Sequence, residues 1–387
     1  MYDFCVNGAG MIGATLALGL LRQGYKVALI DPAPPKPFEP DQPPDLRVSA
    51  ISAGSAALLQ SLGAWELIPD SRLRPYSKLS VWEKKQATTD FDAHLLGKSI
   101  LGYFCENRLI QLACLNAIEL QQHTANLTRY TQAPQAIQWN QVHGCTVVLQ
   151  NQRTIEARWV IGADGATSFV RQQAAIGTQG WQYGQQALGV IVETTQAQPD
   201  WTWQEFHPSG PRAFLPMYKN FGSFVWYDSP ARIRQLKAMN NTQLTQAIEE
   251  SFANITGKFK IQGKAAFPLS RMHAKQYVKN QAILVGDAAH TINPLAGQGV
   301  NIGFKDVQAL LKTTEPGSTT LDIQRFKQGY EHRRRRDNLA MMSAMDAFYL
   351  LFSNDVSAVK WLRTGMLKMA QQTDFAKRQI LQYAMGM

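Results

Sequence analysis

The feature that most constrains this chain is a glycine-rich turn between a predicted strand and a predicted helix. Residues 2–7 (YDFCVN) have the short apolar pattern of a buried strand, residues 11–23 have a helical pattern, and residues 25–30 (YKVALI) resemble a second strand. The order strand, helix, strand predicts a βαβ unit with parallel strands. The turn at residues 8–13 opens the helix of that unit.

The turn itself reads G-x-G-x-x-G, with glycines at positions 8, 10 and 13. Such glycines allow a tight turn, a close approach of backbone to a pyrophosphate and close helix packing, and the helix N-terminus favours the phosphate charge. Asp31 follows the second strand, where an acid accepts ribose hydroxyls. Gly8, Gly10, Gly13 and Asp31 are therefore predicted to hold the adenosine half of a dinucleotide. This pattern alone leaves NAD and FAD open.

Two later segments favour a flavin. Residues 164–171 read DGATSFVR, and residues 286–301 read GDAAHTINPLAGQGVN after an apolar strand at 282–285. In the second segment an acid follows the strand, in a position suited to bind a polyol hydroxyl. A glycine turn then opens a helix, which would bring backbone close to a flat ring and direct the helix dipole at its electron-rich end.

The segments between these motifs have different patterns, and several are rich in strand-forming residues. Residues 32–44 contain seven prolines, which excludes a helix or a strand ladder and predicts an extended surface loop. From residue 321 the pattern is almost entirely helical. A simple division into an N-terminal and a C-terminal domain is therefore not expected. The remaining predicted elements are helices at 49–62, 107–121, 241–252 and 299–311, and strands within 76–104, 136–161 (with a turn at 141–144) and 187–227.

In order and approximate spacing, the three motifs resemble those of the single-component aromatic hydroxylases of the flavin monooxygenase family, related to p-hydroxybenzoate hydroxylase. The resemblance implies an α/β fold in which a Rossmann-like FAD-binding domain carries an inserted β-sheet substrate domain and a helical C-terminal tail. The implied FAD-binding domain comprises 1–75, 105–185 and 280–325, the substrate domain 76–104 and 186–279, and the basic helical tail 326–387.

Further segments look like the ubiquinone-biosynthesis hydroxylases within that family, among them 44–53 (PDLRVSAISA), 210–216 (GPRAFLP) and 290–301. This likeness covers essentially the whole chain. It implies an FAD- and NAD(P)H-dependent monooxygenase that hydroxylates the ring of a polyprenyl benzoquinol, in the step from demethoxyubiquinol to demethylubiquinol. It also implies that O2 is the co-substrate, activated as a flavin C4a-hydroperoxide.

The resemblance assigns site residues as well. It implies that the three motif glycines and Asp31 bind the AMP half of FAD, and that Asp287, after Gly286, binds the ribityl chain. Residues implied to lie along the isoalloxazine are Pro294, Gly297, Gln298, Gly299 and Asn301. Further contacts with the cofactor, or with a transiently bound NAD(P)H, are implied for Arg47, Asn107, Gln111, Asp164 and Arg171.

Two assignments concern the reaction itself. His290 is either a proton-transfer residue or a structural residue that orients the loop after Asp287. Phe214, Pro216 and Tyr218 are expected to line the substrate pocket, since an apolar ring needs an apolar wall. The four cysteines form no CxxC pair, and neither a metal site nor a disulfide framework is expected.

The net charge of +10 is concentrated near the C-terminus, where residues 325–387 hold eleven lysines and arginines against five acids. A basic run of this kind is consistent with a solvated helical face, an anionic membrane surface or an acidic partner. Nucleic acid is not expected, since no recognition fold accompanies the run. We expect a cytoplasmic protein, with peripheral contact to the inner face of the membrane or to other ubiquinone-biosynthesis proteins.

Three alternatives remain open from the sequence. The same FAD scaffold serves flavin oxidases and dehydrogenases, which insert no oxygen atom. A hydroxylase of another ring position in the same pathway would carry the same motifs. A non-catalytic FAD-holding subunit of a biosynthetic complex would retain the cofactor site without quinol-stimulated NAD(P)H oxidation.

Overall fold

The N-terminal βαβ unit forms the middle of the first of three sheets. The computed structural model describes residues 1–83, 87–120, 126–140, 144–253, 255–292, 299–315, 321–352 and 374–385. The first sheet runs β17-β18-β11-β1-β2-β8 with its inner strands parallel, and β10 and β9 extend it from β11. Its strands are β1 (Tyr2–Asn7), β2 (Val27–Ile30), β8 (Leu127–Tyr130), β9 (Pro134–Asn140), β10 (Gly144–Leu149), β11 (Thr154–Gly162), β17 (Val278–Lys279) and β18 (Ala282–Leu284).

The second sheet runs β19-β16-β12-β15-β14-β13-β5-β6, antiparallel except where β13 pairs with β5. Its strands are β5 (Lys78–Glu83), β6 (Ala87–Asp92), β12 (Thr178–Thr194), β13 (Trp201–Glu205), β14 (Arg212–Pro216), β15 (Phe221–Asp228), β16 (Phe259–Ala274) and β19 (His290–Thr291). A small antiparallel sheet, ordered β3-β7-β4, comprises β3 (Val48–Ser52), β4 (Arg74–Tyr76) and β7 (Gly102–Glu106).

Helices pack on both large sheets. They are α1 (Met11–Arg22), α2 (Ala53–Ser61), α3 (Asn107–Leu120), α4 (Phe169–Gln173), α5 (Pro230–Ala238), α6 (Asn241–Ser251), α7 (Gly299–Thr313), α8 (Ile323–Phe326), α9 (His332–Phe352) and α10 (Asp374–Met385). One π-helical turn, Lys327–Glu331, joins α8 to α9 without a break. Among the described residues, no helix is both long and apolar enough to cross a bilayer.

Helix α1 is buried on nearly all sides because it packs between the first sheet and helices α3 and α7. Gly19 makes one of these contacts possible: a Cβ at this position would meet the side chain of Leu311 on α7 at 2.3 Å. The absence of a side chain therefore lets α7 approach α1 closely. This packing fixes α7, whose first residue reaches the candidate site, relative to the glycine turn.

The structure differs from the sequence-based prediction where long-range pairing overrides local pattern. The helix predicted from residue 49 begins at Ala53, because Val48–Ser52 pairs with Gly102–Glu106 as strand β3. The short helices α4 and α5 were not predicted. The proline-rich stretch is free of helix and strand, and Arg72 and Arg108 hold it through its backbone carbonyls. Most of the predicted turn at 141–144 lies outside the described residues.

The first part of the C-terminal region belongs to the main core. Phe326 and Tyr330 are fully buried, and Phe326 packs against the rings of Phe4 and Trp159. Helix α10 packs against the edge of the second sheet. Its Leu381 and Met385 are buried in one hydrophobic cluster with Phe91 of β6 and Leu101. The described parts of this region, residues 326–352 and 374–385, therefore pack against elements of both large sheets.

Candidate functional site

The glycine turn leaves an open space at the N-terminus of α1. Gly8 has a φ of +100°, and a Cβ there would meet the carbonyl oxygen of Ala163 at 2.5 Å. A Cβ on Gly13 would lie 1.8 Å from the carbonyl oxygen of Gly8, so both positions require glycine for the turn itself. In contrast, a Cβ on Gly10 would meet no protein atom within 4 Å. Gly10 thus borders a space suited to a ligand that approaches the backbone and the helix N-terminus.

Polar side chains lie on the elements next to this turn. Asp31 follows β2 and is half-buried, and burial raises its pKa. Its Oδ1 accepts from the N–H of Ala33 at 3.4 Å, and Asp31 is not among the residues that line the cavity described below. Asn107 begins α3 and lines the cavity, and its buried Oδ1 has no hydrogen-bond partner within the described residues. Gln111, one turn further along α3, donates from Nε2 to the carbonyl oxygen of Ala9 at 2.8 Å. Gln111 therefore fixes the glycine turn, whereas the Asn107 oxygen is available to a ligand.

A cavity of about 490 Å³ extends from the glycine turn to the second sheet. On the side of the first sheet its lining includes Gly10, Met11, Arg47, Asn107, Asp287 and Gly299. On the side of the second sheet it includes Gly189, Thr202, Gln204, Ala213, Leu215, Ser223, Val225, Tyr227, Phe267 and Leu269. One continuous space therefore connects Gly10, Asn107 and Asp287 with the second sheet. Other predicted cofactor residues are not among those that line it: Gly8, Gly13, Asp31, Gln111, Asp164 and Arg171.

The G-D motif places an acid beside this cavity. Gly286 has a φ of +58°, and its backbone N–H donates to Asp306 Oδ2 at 3.0 Å. Asp287 is open toward the cavity but flanked by protein elsewhere, so desolvation raises the pKa of its carboxyl group. The nearby charges of His290 and Arg47 oppose this shift only in part, so the pKa of Asp287 remains above its ordinary value. The carboxylate of Asp287 is suited to accept hydrogen bonds from a polyol.

Asp306 was not among the predicted site residues, but it holds the G-D motif in place through hydrogen bonds to Gly286 and His290. It is completely buried on α7 and accepts hydrogen bonds from His290 Nε2 at 2.5 Å and Arg334 Nε at 2.8 Å. Burial alone would raise its pKa, but the positive charges of His290 and Arg334 outweigh that effect and hold the pKa at about 2. Asn338 Nδ2 adds a further bond to Oδ1 at 3.2 Å. No local sequence pattern marks Asp306, although its partner Arg334 lies within the conspicuous arginine run.

Several predicted site residues have structural partners. His290 is 2% exposed and directs Nε2 at Asp306, an arrangement that favours the role of orienting the loop. Asn301 Oδ1 accepts hydrogen bonds from Ser52 N and Ser55 Oγ, both at 2.9 Å, so its side chain ties α7 to β3 and α2. Asn301 is not among the residues that line the cavity, which differs from the predicted contact with the isoalloxazine.

The two predicted residues of the D-G motif also bond to protein. Asp164 Oδ2 accepts from Asn7 Nδ2 at 2.8 Å and from the N–H of Phe169 at 2.7 Å, and thereby joins β1 to α4. Arg171 donates to the carbonyl oxygen of Ala288 at 2.8 Å, and burial lowers its pKa. The D-G motif therefore braces the loop that carries Asp287. The predicted residues Pro294, Gly297 and Gln298 lie outside the described residues.

The predicted substrate-lining residues require a correction. Phe214 is 1% exposed and packs in the core against the rings of Trp203 and Phe224, away from the cavity. Pro216 is absent from the cavity lining, and Tyr218 stacks under the guanidinium of Arg72 at 4.2 Å. Successive side chains of a strand point to opposite faces. On β14 the cavity face is therefore formed by the alternate positions, Ala213 and Leu215.

The arrangement of polar groups around the cavity fits an FAD molecule. A helix N-terminus opens beside Gly10, acids stand at positions 31 and 287, and the buried Oδ1 of Asn107 lacks a protein partner. These groups match the pyrophosphate, the hydroxyl groups and the hydrogen-bonding ring of a flavin dinucleotide.

Comparisons with known proteins agree with this geometry. The FAD binding domain family matches residues 1–314. Over its whole length the chain is 43% identical to 3-demethoxyubiquinol 3-hydroxylase of Escherichia coli (strain K12), with 98% of that protein covered. It is 31% identical to the mitochondrial ubiquinone biosynthesis monooxygenase COQ6 of Homo sapiens, with 99% of this chain and 92% of that protein covered.

Among solved structures, p-nitrophenol 4-monooxygenase PnpA from Pseudomonas putida DLL-E4 superposes with a TM-score of 0.80 at 17% identity, covering 98% of this chain and 96% of that one. The chain therefore belongs to the FAD-binding monooxygenase family that includes the ubiquinone-biosynthesis hydroxylases. The α/β fold and the FAD cofactor implied by the sequence motifs are confirmed.

The open space at Gly10 yields a prediction about cofactor binding. We expect Gly10→Val to weaken FAD binding about tenfold or more, because its side chain enters space that only a ligand occupies. Titration of the apoprotein with FAD, followed by flavin fluorescence, measures this effect. The matched control is Gly184→Val on β12, where a Cβ also meets no atom within 4 Å but which is not among the residues that line the cavity. Equal FAD affinity of the two variants would contradict this role for Gly10.

Asp306 yields a prediction about pH. Its folded pKa of about 2 lies below the ordinary value of 3.8, so its contribution to stability is present above about pH 4 and is lost as the pH falls toward 2. We expect the stability difference between wild type and Asp306→Asn to shrink by about 2 kcal/mol over this range. Urea unfolding at several pH values measures it.

The control for this experiment is Asp337→Asn, which removes a half-exposed carboxylate bonded to the same Arg334. It is expected to change the unfolding free energy by less than about 1 kcal/mol. A stability difference for Asp306→Asn that stays constant with pH would show that the buried carboxylate does not titrate as described.

Proposed function

We propose that this protein hydroxylates the ring of a polyprenyl benzoquinol, in the step from demethoxyubiquinol to demethylubiquinol, using FAD, NAD(P)H and O2. The observation that carries the proposal is the continuous cavity between the FAD residues and the face of the second sheet. The full-length identity of 43% to a 3-demethoxyubiquinol 3-hydroxylase supports the choice of substrate and step. A whole-chain match argues against a role that retains only the cofactor domain.

The protein's first task is to hold the cofactor. We assign the AMP half to the glycine turn and Asp31, and the ribityl chain to Asp287, with Asn107 Oδ1 as an acceptor along the flavin. Bound FAD supplies the redox chemistry by which electrons from NAD(P)H activate O2. Asp306 and Arg171 act through the loop that carries Asp287, since both bond to that loop from the protein side.

The second task is to position the ring and exclude water. Leu215, Val225, Phe267 and Leu269 form apolar walls on the second-sheet side of the cavity. Such walls keep water from the activated oxygen, which would otherwise be released as hydrogen peroxide, and hold a flat substrate near the reacting position. A quinol carries electron-donating hydroxyl groups, so the proposal requires no strong catalytic base.

A lipid-soluble substrate also gives the basic C-terminal region a role. On α9, Arg333 and Arg336 are exposed, and so are Leu339, one turn after Arg336, and Leu350 near the end of the helix, at 42% and 67%. We assign this face to peripheral contact with the anionic inner surface of the cytoplasmic membrane, or with an acidic protein of the same pathway. Arg334 does not contribute to this face, because it is buried against Asp306.

The reaction is tested with purified holoenzyme, NAD(P)H, ¹⁸O₂ and a short-chain demethoxyubiquinol. We expect one ¹⁸O atom in the quinol product by mass spectrometry, together with quinol-stimulated NAD(P)H oxidation. Product without the label would indicate an oxidase or dehydrogenase. No quinol-stimulated oxidation would indicate a non-catalytic FAD subunit, and a labelled product with the hydroxyl at another carbon would indicate another ring position.

The membrane contact is tested in the full-length protein, because truncation before α8 would remove core residues such as Phe326. We expect the double variant Arg333→Glu/Arg336→Glu to lose flotation with phosphatidylglycerol-rich vesicles. The control, Arg234→Glu/Lys237→Glu on α5, changes two exposed basic residues at the same spacing and should float as wild type does. Equal flotation of the two variants would refute lipid contact through α9, and equal flotation of wild type on neutral vesicles would refute an electrostatic contact.

A further inference from the structure

Small residues occupy the middle of the second-sheet face that lines the cavity; we call Gly189, Ala213 and Ser223 the floor of the cavity. Ala213 on β14 lies opposite Val225 on β15, and Val225 in turn lies opposite Gly189 on β12. Ser223, two residues before Val225, also lines the cavity. Because small side chains occupy the middle of this face, a flat ring can lie close to the sheet while larger apolar residues surround it.

One amide side chain lies at the edge of this floor. Gln204 on β13 is directly opposite Ala213, is only 6% exposed, and lines the cavity. Its side chain has no hydrogen-bond partner within the described residues. Its neighbour on the same face, Thr202, donates its hydroxyl to the carbonyl oxygen of Phe214 at 2.7 Å, and is therefore already satisfied within the sheet.

A second buried glutamine of the same sheet shows the usual arrangement. Gln185 on β12 is 7% exposed and donates from Nε2 to the carbonyl oxygen of Ser209 at 2.9 Å. Buried polar groups are normally paired, because an unpaired amide loses its hydrogen bonds to water without replacement. The unpaired amide of Gln204 faces a cavity instead, which is the arrangement expected of a group that pairs with a ligand.

We propose that Gln204 recognises one ring hydroxyl of the quinol and so determines which benzoquinol binds and in which orientation. This inference rests on the proposed function and names the group that selects its substrate. An amide both accepts from a hydroxyl hydrogen and donates to an oxygen lone pair, so it matches a quinol hydroxyl in both capacities. Ala213 beside it leaves room for the ring that carries this hydroxyl.

Recognition by a buried amide has a specific consequence. A ring analogue that lacks the recognised hydroxyl leaves the amide unpaired, and so binds more weakly than its lost contact area alone would explain. Removing the amide from the protein removes this penalty. The wild type should therefore distinguish the two analogues, whereas a variant without the amide should not.

The test uses the oxidised FAD-loaded enzyme under anaerobic conditions, a short-chain demethoxyubiquinol, and its two analogues that each lack one ring hydroxyl. Dissociation constants are measured from the perturbation of the flavin spectrum. For wild type we expect one analogue to bind about tenfold to a hundredfold more weakly than the quinol. For Gln204→Met and Gln204→Leu we expect the quinol to bind as weakly as that analogue does.

The matched control is Gln185→Met, which also removes a buried amide from the second sheet. We expect it to lower thermal stability through its lost bond to Ser209 while it retains the discrimination of the wild type. Retained discrimination in both Gln204 variants would overturn the inference, as would an equal loss of affinity for the quinol and both analogues. Failure of wild type to form labelled product in the ¹⁸O₂ experiment would overturn the proposed function and this inference together, whereas retained discrimination with labelled product would overturn the inference alone.

Discussion

The site depends on the hydrogen bonds and ion pairs that the buried carboxylate of Asp306 forms. This carboxylate holds the N–H of Gly286, the ring of His290 and the guanidinium of Arg334, so it joins the loop of the G-D motif, helix α7 and helix α9 at one point. A buried carboxylate that lost these partners would destabilise the fold strongly. The position of Asp287 at the cavity and the docking of the C-terminal helix are therefore maintained by the same ion pair.

The two large sheets divide the remaining tasks according to their geometry. Parallel strands of the first sheet end at one edge, so the glycine turn after β1, Asp31 after β2 and the G-D motif after β18 gather there. On β14 and β15 of the second sheet, alternate residues face the cavity. This face brings small residues of these strands and the amide of Gln204 on β13 beside the cavity.

The structure places the arginines of the basic C-terminal region in two different environments. Arg334 is internal and neutralises Asp306, whereas Arg333 and Arg336 face solvent on α9. The excess of positive charge that stands out in the composition therefore partly serves to hold Asp306 and the loop of the G-D motif. Only the outward residues are free to act at a membrane surface or on an acidic partner.

The fold class and the FAD cofactor could be predicted from the sequence alone, because the glycine turn, the D-G motif and the G-D motif are local segments whose order and spacing can be read along the chain. The cavity face of the second sheet could not, because a shift of one residue along β14 exchanges Phe214 for Ala213, and local composition does not reveal which of the two is turned to the core. Asp306 and Gln204 are unremarkable in sequence. Their roles arise from contacts with Arg334 and Ala213, which only the tertiary structure brings beside them.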